Sequence, residues 1–427
     1  MAISDIHFNP FAGCGLVTLQ SCPMAETLDQ SPVSNWDAIL AAHVTKMTTV
    51  GHDTNYLLLQ SFMQEISQLK QTDHPIFVLF LGDALAHDFR IRYILTTHQK
   101  SKASYDRFVA KTMQYLTLKL KGALPDTDVY PVVGNNDSYT GDYDVVPEGQ
   151  FFKDSAKLWS GLILTPAGKK SFLTNYPQAG FYAFTLPEQS QYKVLVLNSV
   201  LFSSRAQSPA VARAARVQLA WLQTELQTAK VQHQKVLIAF HIPIGIDVYK
   251  TITSFFTRVQ EFWMPAYTQA FKKILGDNTN VVTGILAGHL HMDSFEILTT
   301  NSVDKIPVSI VPAVSPIFGN NPGFKMYRYD ASTFKLNNYE TYYYPLNTDK
   351  KWEKEYSFEA IYQHECHDCE VLKGMLTLTT DHLYLYFFQK FYSVGREPLY
   401  QEPKWLAYYW CSIRTITRPT FETCLKH

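Results

Sequence analysis

The sequence predicts an α/β protein in which two β-sheets form a sandwich flanked by helices, followed by a helical, aromatic-rich C-terminal extension. Along residues 1–330, short apolar runs alternate with amphipathic helical stretches, a pattern typical of sheets covered by helices. From residue 331 on, tyrosine and phenylalanine become frequent. We therefore expect a main domain over residues 1–330 and an extension over 331–427 that packs on it.

The first half of the chain predicts strands that alternate with helices. Continuous apolar runs indicate strands buried on both faces, and apolar residues at helical spacing indicate helices that pack on a sheet. Residues 8–53 follow neither pattern and are expected to be irregular. The expected elements are strands over 2–6, 76–81 and 129–133 and helices over 53–70, 101–120 and 151–164, with Asp53 or Thr54 capping the first helix.

The second half predicts further strands that complete the sandwich, together with two helices. One of them is a long helix that contains Phe255, Phe262 and Ile274. The expected elements are strands over 180–186, 193–198, 235–240, 281–287, 295–298, 308–311 and 325–329 and helices over 211–230 and through 255–274.

Charge and hydropathy argue against two classes of protein. The 38 basic and 38 acidic residues balance each other, which disfavours a nucleic-acid-binding protein with a broad basic face. No apolar run approaches the roughly 20 residues that a membrane span needs. We expect a soluble monomer that acts on a small molecule.

The six cysteines form three local pairs, as is typical of disulfides in an oxidising compartment. A metal knuckle over 364–369 is the alternative for the middle pair, but a second half at zinc-finger spacing is missing from the sequence. The first strand begins directly after Met1, as though a leader had been removed. The glycosylation sequon at Asn136 lies in the candidate active site, where a glycan would not fit, which disfavours a glycosylated eukaryotic protein. We therefore expect a secreted or periplasmic bacterial protein. The expected disulfides are Cys14 with Cys22, Cys366 with Cys369, and Cys411 with Cys424.

Seven potential metal ligands occur at the ends of five predicted strands. The carboxyl ends of strands in open α/β sheets meet at one edge, and residues two apart at a strand end point the same way. Each residue alone has another interpretation, since Asp or Asn after Gly often forms a turn. Together, imidazole, carboxylate and amide groups suit zinc or another first-row divalent ion. The candidates are Asp5, His7, Asp83, Asn135, His241, His289 and His291.

The order DxH, GDxxxH, GN, HxP, GHxH resembles the calcineurin-like metallophosphoesterases. Within them, residues 5–11, 82–88 and 315–324 are similar to the acid sphingomyelinase-like phosphodiesterases, and the likeness covers nearly the whole chain. The resemblance implies a metallophosphoesterase fold in which residues 1–330 form the catalytic domain.

The resemblance also implies a site for two divalent metal ions, for which zinc is the expected metal. In such a site Asp83 would bridge the two ions, which would activate a hydroxide for in-line attack on phosphorus. The implied ligand sets are Asp5, His7, Asp83 and His291 for one ion and Asp83, Asn135, His241 and His289 for the other.

Two further residues are candidates for catalysis. His87 matches the histidine that is implicated in protonating the leaving oxygen in the acid sphingomyelinase-like branch, although a role in orienting Asp83 is the alternative. Asn136 stands where most of the superfamily has histidine, and an amide cannot act as an acid. The resulting GNND motif is similar to that of endopolyphosphatases, which favours phosphoanhydrides because their leaving groups are good.

The predicted function is a metal-dependent phosphoric ester hydrolase that cleaves phosphodiester or phosphoanhydride bonds. Soluble substrates, such as nucleotides or phosphocholine conjugates, are preferred because the chain lacks the saposin domain that precedes the catalytic domain of acid sphingomyelinase. The alternatives are a sphingomyelin phosphodiesterase, an endopolyphosphatase, a catalytically weakened metal-containing binding protein and a metal-independent interaction protein.

Overall fold

A computed structural model describes residues 1–15, 21–186, 189–254, 258–302, 304–348, 351–362, 371, 375–376, 382–396 and 405–426. Two six-stranded sheets form the centre of this part of the chain. Their strands are β1 (Ala2–Ile3), β2 (Phe77–Phe80), β3 (Asp128–Pro131), β4 (Tyr182–Leu186), β5 (Gln189–Val196), β6 (Lys235–Ala239), β7 (Val282–Ala287), β8 (Ser294–Thr299), β9 (Lys305–Ile310), β10 (Gly323–Tyr329), β11 (Leu336–Tyr343) and β12 (Glu353–Ser357).

Each sheet combines a parallel part with antiparallel strands. The first sheet has the order β12-β11-β10-β1-β2-β3, and β1, β2 and β3 are parallel. The second has the order β4-β5-β6-β7-β9-β8, in which β5, β6, β7 and β9 are parallel. The carboxyl ends of the parallel strands therefore form one edge in each sheet, as predicted for the two-sheet α/β fold.

Helices flank both sheets, as predicted. Their apolar faces are buried; Leu58, Phe62 and Ile66 of one helix are fully covered. The α-helices with described bounds are Pro23–Gln30, Trp36–His43, Tyr56–Asp73, Phe89–Thr97, Lys102–Ala123, Gln150–Trp159, Pro166–Ala179, Pro209–Val231, Val248–Thr253, Pro265–Asp277, Phe358–Tyr362, His382–Tyr392, Leu406–Arg414 and Arg418–Cys424.

Two sequence predictions are wrong in detail. Residues 8–53 are not irregular throughout, because they contain two helices. One begins at Pro23, since proline is tolerated in the first turn, where its missing N–H has no helical partner. The other begins at Trp36, whose side chain is fully buried. The long helix through 255–274 does not form, and a helix begins only at Pro265. Met264 is extended (φ −60°, ψ 135°), because proline disfavours a helical conformation in the residue before it. Phe255 lies outside the described residues.

The C-terminal part contains both strands and helices. β11 and β12 follow residue 330 and continue the first sheet, and helices follow them. Aromatic residues lie on both the strands and the later helices. The helical extension is thus confirmed, and the domain boundary at residue 330 stays a prediction. The disulfides Cys14–Cys22 and Cys411–Cys424 are present as predicted, while Cys366 and Cys369 lie outside the described residues. None of the helices in the described ranges is long and apolar enough to cross a membrane.

Candidate active site

The seven predicted ligands follow five parallel strands whose carboxyl ends face one another. Backbone hydrogen bonds hold the turns together across the strands: Asp5 N donates to Gly82 O at 3.0 Å and His7 N to Asp83 O at 2.9 Å. Five of the seven residues have a left-handed backbone with φ between 43° and 71°. Such strained conformations persist where the surrounding structure enforces them, and they cluster at functional sites.

The side chains of the cluster converge on Asp83 and Asp5. His7 Nε2 lies 3.4 Å and His241 Nε2 3.2 Å from Asp83 Oδ2. His291 Nε2 lies 3.4 Å from Asp5 Oδ1. Asp83 therefore lies between histidines delivered by both sheets.

Hydrogen bonds at the opposite ring nitrogens orient two of the histidines. His7 Nδ1 donates to Leu85 O at 2.8 Å and His241 Nδ1 to Leu81 O at 2.7 Å. The lone pairs of both Nε2 atoms then point into the cluster, where His241 Nε2 is 3.0 Å from Asn135 Oδ1. This arrangement, a carbonyl behind each ligating imidazole, is typical of metal sites.

Two buried atoms of the cluster lack a hydrogen-bond partner among the described residues, Asp5 Oδ1 and His291 Nδ1. His7 Nε2 also lies only 3.1 Å from His291 Nε2. Orphaned acceptors and facing ring nitrogens are costly in a protein interior unless a cation lies among them. The donor set therefore fits divalent metal ions.

The charges of the cluster point the same way. Burial alone would lower the pKa of His7 and of His241, but Asp83 and Asp5 outweigh it and raise both to about 9. Burial dominates at His289 and His291, whose pKa falls to about 3. Positive charge is thus favoured next to the carboxylates, and a metal ion supplies that charge in place of a proton.

The Gly134-Asn135-Asn136-Asp137 turn holds Asp83 in place. Asn136 donates from its backbone N to Asp83 Oδ1 and from Nδ2 to Asp83 Oδ2, both at 2.8 Å. Asp137 accepts from the backbone N of Asp83 at 2.9 Å and of Gly134 at 3.0 Å. Sequence analysis missed the role of Asp137, although its place in the motif offered a signal.

His87 lies beside the cluster and is partly exposed. Its ring stacks on that of His7 with centroids 4.0 Å apart, and Phe318 contacts its other side at 5.3 Å. Its Nδ1 donates to Asp53 Oδ1 at 2.9 Å. Asp53 was predicted only as a helix cap, but the cap is Asn55, which accepts from Leu58 N.

A second pair missed from the sequence lies on the Asn135 side. Asp142 Oδ1 accepts from Asn135 Nδ2 at 2.7 Å, which turns the amide oxygen of Asn135 toward His241. Asp142 Oδ2 in turn pairs with Arg205 at 2.9 Å. Both residues line a cavity of about 280 Å³ that is also lined by Asp83, His87, Asn135, Asn136, His289 and His291.

The His and Asp cluster lies at the facing strand ends of the two sheets and opens to this cavity. Residues 1–293 match the calcineurin-like phosphoesterase family, and the chain belongs to that family. The predicted family is thereby confirmed.

Several curated phosphodiesterases are similar to this chain. The mouse (Mus musculus) acid sphingomyelinase-like phosphodiesterase 3b is 25% identical over 99% of this chain and 89% of its own length. The human (Homo sapiens) cyclic GMP-AMP phosphodiesterase SMPDL3A is 22% identical over 74% of this chain and 71% of its own. The sphingomyelinase phosphodiesterase D of Dictyostelium discoideum is 26% identical over 73% of this chain and 66% of its own length. The predicted enzyme class, a phosphodiesterase hydrolase, is confirmed.

Proposed function

We propose that this protein is a binuclear-metal-dependent phosphohydrolase that cleaves phosphodiester or phosphoanhydride bonds in soluble molecules. The observation that carries the proposal is the convergence of three imidazole nitrogens on Asp5 and Asp83, with Asp5 Oδ1 buried and unpartnered among the described residues. Buried carboxylates and ring nitrogens in this arrangement favour bound cations. Membership of the calcineurin-like phosphoesterase family supports phosphoester hydrolysis as the reaction.

In this proposal Asp5, His7, Asp83 and His291 hold one ion, and Asp83, Asn135, His241 and His289 hold the other. Divalent ions held by these residues would supply activation of a water molecule and neutralisation of charge on the phosphoryl oxygens. Zinc suits the mixed imidazole and carboxylate donors. The residues around the ligands set their orientation: Asn136 holds the carboxylate of Asp83.

His87 is the proposed proton donor to the leaving oxygen. Because Asp53 accepts from Nδ1, the Nε2 atom is the ring nitrogen left for substrate, and His87 lines the cavity beside the cluster. A positioned acid of this kind contributes about 10²- to 10⁴-fold to a rate. Its contribution is largest for leaving groups that are poor without a proton.

Asn136 bears on the choice of substrate. Its side-chain amide donates to Asp83 and offers no acidic proton. His87 is then the one proposed acid, because residue 136 cannot supply a proton as a histidine at that position could. We infer a preference for leaving groups that need little protonation, such as those of nucleotide phosphoanhydrides, alongside phosphocholine conjugates. Relatives named for cyclic GMP-AMP and for sphingomyelin support a phosphodiester as the substrate class.

The two disulfides support an oxidising compartment for the protein, and a secreted or periplasmic location is part of the proposal. A monomer of bacterial origin remains the expectation for its state and source.

The test is hydrolysis by purified protein before and after chelation and after zinc is restored. The substrates are bis(p-nitrophenyl) phosphate, ATP, CDP-choline, polyphosphate and sphingomyelin. Turnover that disappears on chelation and returns with metal is the expected result. Two bound metal ions per chain without turnover on any substrate would instead identify a binding protein.

A further inference from the structure

One tyrosine without a role in the proposed mechanism contacts a candidate ligand from each sheet. The hydroxyl of Tyr143 lies 3.2 Å from His289 Nε2, and His289 follows β7 of the second sheet. The backbone N of Tyr143 donates to the carbonyl oxygen of Asn135 at 2.8 Å, and Asn135 follows β3 of the first sheet. Tyr143 therefore joins two residues that are proposed to bind the same metal ion.

The backbone of Tyr143 has a conformation that tyrosine rarely adopts. Its φ is +60°, in the left-handed region, where a bulky L residue is an outlier. Glycine or asparagine adopts this conformation more readily. Strained residues of this kind persist where the surrounding structure enforces them, and they cluster at functional sites. The side chain of Tyr143 is thus present although the local backbone disfavours it.

Arg205 and Asp142 hold the ring of Tyr143 from its outer side. The guanidinium carbon of Arg205 lies 3.9 Å from the centroid of the Tyr143 ring, within the range of cation–π attraction. Arg205 also pairs with Asp142 Oδ2 at 2.9 Å, and Asp142 Oδ1 accepts from Asn135 Nδ2 at 2.7 Å. We call Asp142, Tyr143 and Arg205 the Tyr143 network. Its contacts lead to Asn135 at one end and to His289 at the other.

A hydrogen bond at one ring nitrogen decides which nitrogen of a histidine can bind a metal ion. The protonated nitrogen donates to its partner, and the lone pair is then on the other nitrogen. At His7 and His241 the partner is a backbone carbonyl at Nδ1. At His289 the Tyr143 hydroxyl lies at Nε2 instead. If this hydroxyl accepts from Nε2–H, the lone pair of His289 is on Nδ1.

Apolar packing is the other role that Tyr143 could have. Only 7% of its surface is exposed, and its ring belongs to an apolar cluster of buried residues. Phenylalanine would fill the same space without placing a hydroxyl at His289. The two roles therefore make different demands on a single oxygen atom.

We propose that the Tyr143 network positions Asn135 and His289 and thereby raises the affinity of one of the two metal sites. These two residues bind the same ion in the proposed function, on which this inference rests. Tyr143 fixes the tautomer of His289, Asp142 turns the amide oxygen of Asn135 inward, and Arg205 joins the two contacts. Through these contacts the network reaches only one of the two ligand sets.

Titration of the chelated protein with metal tests this role without catalysis. Calorimetry with Zn²⁺ alone gives the affinity of each binding step in the wild type and in Tyr143→Phe, which keeps the ring and loses the hydroxyl. Tyr143→Phe should weaken one step about 10- to 100-fold and leave the other as in the wild type. Titration with Co²⁺ should show an altered visible absorption spectrum for the weakened site alone, since these bands report ligand geometry.

Tyr139→Phe is the matched control. Tyr139 is also buried, with 8% of its surface exposed, and its hydroxyl donates to Asp154 at 3.1 Å. The control variant thus loses a comparable hydrogen bond and should keep both metal-binding steps. Arg205→Met is a second test, because the Arg205 side chain is 48% exposed and its loss is tolerated by the fold. It should weaken the same step as Tyr143→Phe by a smaller factor.

Circular dichroism and thermal melting establish that each variant is folded. Wild-type affinities at both steps in Tyr143→Phe would overturn the inference, and so would an equal loss at both steps, which indicates a general structural defect. Failure of the proposed function gives different results. A wild type that binds two ions but hydrolyses no ester contradicts that function alone, whereas a wild type that binds fewer than two ions contradicts both.

Discussion

Asp53 and His87 are joined by two hydrogen bonds. Asp53 Oδ1 accepts from the ring Nδ1 at 2.9 Å, and Asp53 Oδ2 accepts from the backbone N of His87 at 3.1 Å. Burial alone would raise the pKa of Asp53, but the bond from His87 and the charge of His7 outweigh it and hold that pKa below its usual value. The carboxylate thus stays ionised and fixes both the tautomer and the orientation of the His87 ring.

Asp53→Asn should therefore impair the proposed acid without emptying the metal site. We expect kcat to fall about 10- to 100-fold, the usual cost of losing a group that orients a functional histidine. KM and metal content, measured by steady-state kinetics and by plasma emission spectrometry, should change little. Asp126→Asn is the matched control, since Asp126 is exposed and pairs only with Lys70 across 3.0 Å among its described ion pairs.

His87→Ala should have an effect that depends on the leaving group. An alkoxide needs a proton to depart, whereas p-nitrophenolate does not, so the loss of kcat should be at least about tenfold larger for an alkyl diester than for bis(p-nitrophenyl) phosphate. Rates on a paired series of diesters provide the measurement. Equal losses for both leaving groups would show that His87 orients the site and does not protonate.

Gly134→Ala should displace Asp83. A Cβ atom at residue 134 would lie 2.1 Å from Asp83 Oδ1 and 2.3 Å from its backbone N, closer than any side chain tolerates. We expect a loss of about 3 kcal/mol in the free energy of unfolding, together with loss of bound metal. Gly122→Ala is the control, because nothing lies within 4 Å of its Cβ position and alanine favours the helix Lys102–Ala123. If neither substitution lowered the free energy of unfolding or the metal content, the close packing of the Gly134 turn on Asp83 would not matter for metal binding.

Metal removal should lower thermal stability. Ions that bind the native state at 1,000 times their Kd contribute about 4 kcal/mol, and ions at the proposed site would also balance the buried carboxylates of Asp5 and Asp83. We expect chelation to lower Tm and added zinc to restore it. Asp83→Asn removes the proposed bridging carboxylate, so its Tm should no longer respond to either treatment; an unchanged response would argue against Asp83 as a ligand.

Strand ends made most of the candidate site predictable. Asp5, Asp83 and His241 follow short apolar runs, and the carboxyl ends of parallel strands meet by geometry alone. Asp53 was not predictable in the same way, because it lies in a loop 34 residues before its partner His87. Local sequence patterns such as apolar periodicity do not predict a contact between a loop and a distant turn.

Glu296 illustrates a different limit of sequence analysis. A glutamate in a strand is usually placed on the exposed face, and nothing in the stretch Phe295-Glu296-Ile297 indicates that this one is buried. Only tertiary packing places the loop at Gly245 against it. The long helix predicted through 255–274 failed for a local reason, since Pro265 fits the start of a helix and not its interior.

The disulfide Cys411–Cys424 joins the helices Leu406–Arg414 and Arg418–Cys424 across 13 residues. Replacing both cysteines with serine should lower the free energy of unfolding by about 3 kcal/mol, because the unfolded chain gains the entropy of an open loop of this length. Urea titration measures the loss, and metal content should stay at the wild-type value because the disulfide lies outside the ligand set.

The matched pair is Cys14–Cys22, which spans eight residues. A shorter loop restricts the unfolded chain less, so its double serine variant should lose slightly less stability. Cys411 is 3% exposed, and its helix carries Tyr409, which lines the cavity beside the cluster. If removing Cys411–Cys424 also raised KM but removing Cys14–Cys22 did not, the C-terminal helices would be needed to shape the cavity beside the cluster. Loss of metal in the Cys411–Cys424 variant would contradict the separation between disulfide and metal site.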